Sequence, residues 1–81
     1  MSYIREGQHL QLKALEVFLF PTPVLEVWRE EMRAERDLLR AEIEQHPGYP
    51  ILCPDGPRYL LGVINGVIAV INGELLQRGE K

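Results

Sequence analysis

Cys53 and His46 are the side chains best suited to covalent catalysis, because a cysteine thiolate is a strong nucleophile when an imidazole base lies beside it. The two residues lie seven positions apart, across a bend that is rich in proline. The sequence offers no clear acid to orient the imidazole and no oxyanion-stabilising motif. A small cysteine packed in a loop explains Cys53 better, so we predict no catalytic residue and no enzymatic activity.

The residue types that bind transition metals occur at His9, His46 and Cys53, but their spacing matches no zinc-ligand pattern. The sequence also lacks the glycine-rich loops that bind phosphates or dinucleotides and the acidic loop that binds calcium. We therefore predict no metal and no cofactor. A single cysteine without a secretory signal indicates a cytoplasmic environment.

Charged residues concentrate between positions 23 and 46, where seven acids and four arginines give the same net charge, −3, as the whole chain. Four carboxylates there suggest paired acid–base groups: Glu30, Glu31, Glu35 and Asp37. Four arginines share one helical stripe that suits an acidic partner or phosphates: Arg29, Arg33, Arg36 and Arg40. Because the signs are interleaved, a solvated, salt-bridged face explains both sets better. The net negative charge argues against nucleic acid as the main partner.

Two helices separated by a proline break are predicted to carry these residues. Residues 1–7 are polar and expected to fray. Apolar residues at helical spacing favour a short helix over residues 6–20, with a strand as the other interpretation. Thr22 suits the N-cap and Pro23 the first position of a second helix over residues 23–46. Its outer face offers two ion pairs at a spacing of four, Arg33–Asp37 and Arg40–Glu44.

The inner face of this second helix carries an apolar row, which we call the tryptophan row: Leu25, Trp28, Met32, Leu39 and Ile43. Residues 47–57 follow and contain four prolines and two glycines, which favour a stiff, extended linker. Asp55 lies near the expected start of a third helix, and Pro57 suits its first turn.

The C-terminal third repeats the sequence Val-Ile-Asn-Gly at a spacing of seven and leaves two interpretations open. Asn-Gly between apolar runs favours a β-meander with strands near 59–64, 67–71 and 74–77. We prefer a helix over residues 58–78, although three interior glycines cost it roughly 1 kcal/mol each. The meander would need cover on both faces, and it leaves Gly62 unexplained.

On a helix, residues 58–78 carry two rows at steps of three and four. The small-residue row consists of Gly62, Gly66, Ala69 and Gly73. The bulky row consists of Leu60, Ile64, Val67, Ile71 and Leu75. Small residues let a second helix approach closely, so the small-residue row is expected either to receive the tryptophan row inside the monomer or to form a docking face for another chain.

These patterns predict one domain, 1–81, with an all-α fold: a short N-terminal helix and an antiparallel helical hairpin. An α+β fold with a C-terminal β-meander from Tyr59 is the alternative. A membrane span is disfavoured, because the uncharged run that starts at Tyr59 ends at Glu74 and contains two asparagines. A chain of this size buries a limited core, so stabilisation by other copies or by a larger partner is expected.

The order of these elements resembles the small helical-hairpin proteins encoded among the head and portal genes of tailed bacteriophages. The resemblance covers residues 17–76, although the last helix is more aliphatic and richer in glycine than is usual there. The residues that match the pattern of that family are Trp28, Tyr59, Leu60, Gly62, Ile64 and Gly66. The resemblance implies a virion or assembly component that binds other proteins in several copies.

We therefore expect a non-enzymatic structural or assembly protein, located in the virion or in the host cytoplasm. Its partner would be itself, as a homo-oligomer, or a larger virion protein, with no membrane and no nucleic acid as main partner. The alternative is a small acidic adaptor or inhibitor that binds a host or bacterial protein. The predicted interaction face comprises Phe18, Phe20, Trp28, Met32, Gly62, Gly66, Ala69 and Gly73.

Overall fold

The computed structural model describes residues 3–45 and 56–79. They form helices α1 (Tyr3–Leu15), α2 (Thr22–Gln45) and α3 (Pro57–Gln77), with a short 3₁₀ helix at Val17–Leu19 between α1 and α2. The predicted all-α fold is confirmed, and α2 and α3 pack as the predicted antiparallel pair. The alternative β-meander is wrong, because the whole segment from Pro57 to Gln77 is helical.

Helix α1 begins and ends earlier than the predicted range of 6–20. It starts at Tyr3, within residues 1–7, and the expectation that this segment frays stays a prediction. At its other end the chain turns through the 3₁₀ helix and reaches Phe20 in an extended conformation, with φ −87° and ψ 139°. Phe20 precedes Pro21, and the proline ring disfavours a helical residue before it.

Helix α2 starts at Thr22, one residue before the predicted position. Thr22 is therefore inside the first turn rather than at the N-cap, and Pro21 accepts the first backbone hydrogen bond, from Leu25, at 3.1 Å. The hydroxyl of Thr22 accepts a hydrogen bond from Arg78 instead, with 3.1 Å between Nη1 and Oγ1.

The ion pairs on α2 also differ from the prediction. Arg33 pairs with Glu30 at 2.9 Å, and Asp37 pairs with its neighbour Arg36 at 3.3 Å. The predicted Arg33–Asp37 pair is therefore replaced by contacts at other spacings. All four of these side chains are at least partly in solvent, where such pairs contribute little to stability.

The core forms where the bulky row of α3 meets the tryptophan row of α2 and one face of α1. All five bulky-row residues are buried, and so are four of the five members of the tryptophan row, Ile43 being half-buried. Helix α1 runs parallel to α3, since Gly7 lies against Tyr59 near one end and the carbonyl of Phe18 binds Arg78 near the other. Helix α3 is thus the central element, packed on both of the others.

The small-residue row does not receive the tryptophan row, contrary to the first of its two expected roles. A Cβ atom built on Gly62, Gly66 or Gly73 would meet no other atom within 4 Å. The bulky row occupies the core instead, because burial stabilises a fold in proportion to the apolar area removed from water, and glycine has almost none to remove. The small-residue row is consequently exposed, and Gly62 and Gly66 line surface grooves beside the neighbouring helices.

Candidate interaction surface

The structure separates the eight residues of the predicted interaction face into core and surface groups. Trp28 is 4% exposed and Met32 is buried as well, so both belong to the core of the monomer. Phe20 is half-buried, and its ring packs edge-on against that of Trp28 with 5.9 Å between centroids. Lys13 covers the same indole, with its Nζ 4.7 Å from the ring centroid. These aromatic residues stabilise the junction between α1 and α2.

Phe18 is the large aromatic member of the predicted face that stays on the surface, with 64% of its area exposed. It lies in the 3₁₀ helix, where the backbone is fixed by a hydrogen bond from Arg78 Nη2 to the carbonyl of Phe18 at 3.3 Å. Leu19 beside it is also exposed. The turn between α1 and α2 thus presents two apolar side chains on a backbone that is held in place.

The small-residue row is the other surface group, and all four of its members are exposed. It lies on the side of α3 opposite the buried bulky row, with open space beyond its glycines. No charged residue occurs in α3 between Arg58 and Glu74. The outward side of this helix is therefore smooth and uncharged over about 22 Å, the length of fifteen residues at 1.5 Å each.

An apolar groove of about 510 Å³ lies between α1 and α3, next to this row. We call it the α1–α3 groove. Its α1 wall includes Leu15, which is 73% exposed, and its α3 wall includes Gly66 and Val70. Leu12, one helical turn before Leu15, is exposed as well. The sequence analysis did not single out these leucines, although both lie off the face of α1 on which half-buried Leu10 and Ala14 pack against the core.

The opposite side of α3 differs in chemical character. A groove of about 540 Å³ between α2 and α3 is lined in part by Arg40, Glu44, Arg58 and Asn65. Further along, Arg29 donates a hydrogen bond to the side-chain oxygen of Asn72 at 3.3 Å. Polar and charged groups thus border α3 on the α2 side, whereas the α1–α3 groove has only Gln11 as a polar side chain.

The residues considered for catalysis and metal binding lie mostly outside the part of the chain that the structure describes. This holds for His46 and Cys53, and the same is true of Asp55, expected near the start of the third helix, and of most of the predicted linker, 47–57. His9 is exposed on α1. Within residues 3–45 and 56–79, no group of three or more potential metal ligands occurs. Of the four carboxylates considered on α2, Glu30, Glu31 and Asp37 are exposed and Glu35 is half-buried.

Helix α3 is also the one described helix that is long and apolar enough to cross a membrane, judged by length and composition alone. It has 21 residues, and 39% of its most apolar 18-residue segment is buried inside the protein. A core helix of a water-soluble bundle meets the same criteria, so this is weak evidence for a span. The expectation that the protein binds no membrane stays a prediction.

Comparison with known proteins adds no assignment to this surface. No protein-family model, no curated protein and no solved structure matches the chain.

Proposed function

We propose that this protein is a non-enzymatic structural or assembly component of a tailed bacteriophage, and that it acts through helix-mediated contacts with other protein chains. The viral part of the proposal is supported by the resemblance of residues 17–76 to phage helical-hairpin proteins. The binding part is supported by one observation above all, the uncharged outward side of α3 together with the α1–α3 groove.

This side favours protein binding because it combines exposed apolar area with small residues. A contiguous apolar surface on a small protein is often an interaction site. A water-soluble helix of a monomer usually places charged residues on its outward side, as α2 does here. Helix α3 instead places glycines there, which lower helix stability by roughly 1 kcal/mol each relative to alanine. Close approach of another backbone would give these glycines a role.

The experiment that tests the viral role is a search for the protein in purified phage particles and in assembly intermediates. The particles would come from the phage whose genome encodes the protein, grown on its own host. Peptide mass spectrometry would detect the protein, with a known capsid protein as the reference. We expect a constant ratio to the capsid protein across preparations. Absence from both particles and intermediates would exclude a structural or assembly role.

A second candidate function, a small acidic adaptor or inhibitor, is favoured by the outer face of α2. Exposed Val24 and Val27 lie there beside Glu31, in a cleft of about 340 Å³ that Lys13 and Trp28 also line. An apolar patch bordered by one carboxylate and one ammonium group suits a partner protein with complementary charges.

Charge reversal tests this second function. Glu30→Lys, Glu31→Lys and Glu35→Lys combined should abolish capture of a host protein while the helical circular dichroism stays unchanged. Glu6→Lys combined with Glu16→Lys, both on or next to α1, controls for most of the change in net charge, +4 against +6 for the triple variant. Unchanged capture by the triple variant would exclude the acidic face as the binding site.

A further inference from the structure

We propose that the uncharged side formed by α3 and α1 is a dimer interface that takes a second copy of this chain, with the two α3 helices antiparallel. This inference rests on the proposed function as a protein that binds through its helices and names the partner. Three features of the surface identify a second copy as the occupant: its charge, its symmetry and its area.

The charge of the molecule restricts where two copies can meet. Each copy has a net charge of −3, and the acids lie mainly on α2. Copies that approach through their α2 faces bring like charges together, which is unfavourable. Helix α3 carries no charge between Arg58 and Glu74, and no charged side chain lines the α1–α3 groove, so two copies can meet there without that repulsion. Charged groups border this side at one end, where Gly62 also lines the groove with Arg40, Glu44 and Arg58.

The spacing of the small-residue row is symmetric. Its members follow one another at steps of four, three and four, so the row reads the same in both directions about its midpoint. Two antiparallel copies related by a two-fold axis at that midpoint place Gly62 opposite Gly73, and Gly66 opposite Ala69. Such a self-complementary patch is the requirement for an isologous dimer.

The position of the α1–α3 groove is compatible with the same two-fold axis. Leu15 lies beside Gly66 and Val70, at the level of the midpoint of the row. Because α1 borders α3, the two-fold axis brings Leu15 of one copy close to Leu15 of the other. This leucine, 73% exposed in the monomer, then becomes the apolar centre of the interface.

The area available is sufficient for a stable dimer. A standard interface takes about 800 Å² from each partner, which is roughly one seventh of the 5485 Å² accessible surface of this chain. The molecule is elongated, 42 × 22 × 17 Å, so one of the long sides of its three-helix body can supply that fraction. The same side also contains the exposed apolar residues Leu12, Leu15 and Val70.

The first test is the solution mass, measured by size-exclusion chromatography with light scattering over a dilution series of the full chain. We expect twice 9.3 kDa at high concentration. Leu15→Asp should weaken the dimer by roughly 100-fold or more, because it places two carboxylates together at the axis. Leu38→Asp is the matched control, since Leu38 is 68% exposed on the charged helix α2. It should leave the dimer intact.

The second test is disulfide trapping in a Cys53→Ser background. Gly62→Cys and Gly73→Cys chains should cross-link when mixed, because opposed Cα atoms lie within the disulfide range of about 7 Å. Neither variant should cross-link on its own, because the same residue of the second copy would lie about 16 Å away along the antiparallel helix. Cross-linking of each variant alone would indicate parallel helices and overturn the proposed arrangement.

Other outcomes separate this inference from the proposed function. A 9.3 kDa monomer at every concentration overturns the dimer, even if the protein is present in particles. A dimer that never occurs in particles leaves the interface standing and removes the viral role. Binding of the monomer to phosphatidylcholine vesicles, without a dimer in water, also overturns the inference, since α3 would then face lipid. A stoichiometric complex with one other virion protein, without self-association, also overturns the inference.

Discussion

The guanidinium of Arg78 donates a hydrogen bond from Nη1 to the hydroxyl of Thr22 at 3.1 Å, across 56 positions of sequence. The same guanidinium binds Glu74 within its own helix at 2.9 Å and the carbonyl of Phe18 at 3.3 Å. One side chain therefore joins the end of α3, the start of α2 and the 3₁₀ helix before it. This contact connects the turn between α1 and α2 to the end of α3.

Replacement of this arginine should lower the stability of the fold. Arg78→Ala is expected to lose about 1 kcal/mol, since its three hydrogen bonds are charge-assisted but partly solvated. Arg78→Lys should recover little, because an ammonium group lacks the planar fork that reaches several acceptors. Urea unfolding followed by circular dichroism measures both, with Arg36→Ala as a control that should change the midpoint only slightly. If Arg78→Lys were as stable as the unaltered protein, the positive charge rather than the planar guanidinium fork would account for the effect.

Alanine should have opposite effects at two glycines. A Cβ on Gly7 would lie 2.8 Å from Cε2 of Tyr59, whereas a Cβ on Gly66 meets nothing within 4 Å. Gly7→Ala must displace the tyrosine ring and should destabilise the monomer by about 1 kcal/mol. Gly66→Ala should stabilise it by up to about 1 kcal/mol through helix propensity.

Thermal unfolding at concentrations where the protein is monomeric distinguishes the two glycine variants. In a Tyr59→Ala background the clash is absent, so Gly7→Ala should become neutral or stabilising. A Gly7→Ala variant that remains equally destabilising without the tyrosine ring would refute the close contact as the cause.

Gly79 provides the third prediction. It follows the last residues of α3 with a φ of +91°, and its N–H donates to the carbonyl of Leu76 at 3.0 Å. Side chains strain this left-handed conformation, so Gly79→Ala should cost about 1 kcal/mol. Gln77→Ala, inside the helix and exposed, is the control and should be neutral. Equal unfolding midpoints for the two variants would contradict the prediction.

The fourth prediction concerns the centre of the core. Ile71 is fully buried between α3 and its neighbours. Ile71→Ala should lose about 3 kcal/mol through lost burial and the cavity that remains. For a chain this small that loss is a large fraction of total stability. The fluorescence of Trp28, the single tryptophan, reports the effect. Leu38→Ala on the surface should leave the emission and the unfolding midpoint almost unchanged.

The sequence was sufficient to predict the architecture because apolar periodicity is a strong local signal. The two Asn-Gly repeats favoured turns over a continuous helix. The bulky row of α3, however, lies on one face, where it can be buried, only if the segment is a helix. Asn72, a candidate turn residue, instead accepts a hydrogen bond from Arg29 in the middle of a helix pair. Tertiary packing here outweighs a short-range turn preference.

Other features depended on tertiary contacts that periodicity does not encode. The 3₁₀ helix at Val17–Leu19 continues the apolar run of α1, so the sequence alone did not mark its start. Predicting which of the two rows of α3 lies in the core required knowing how much apolar area each row could bury. Exposed Leu12 and Leu15 were missed because the length of α1 and its contact with α3 decide which of its faces is covered.

The central position of α3 has a consequence for how the chain acquires its structure during translation. Helices α1 and α2 pack chiefly on α3, which is synthesised after both of them. Until Pro57–Gln77 has left the ribosome, Leu25 lacks the helix that completes its burial, and the contacts described for Trp28 are limited to Phe20 and Lys13. Folding of these three helices is therefore expected to be concerted and to wait for α3, and a product terminated before residue 57 would be a substrate for proteases and chaperones rather than a stable intermediate.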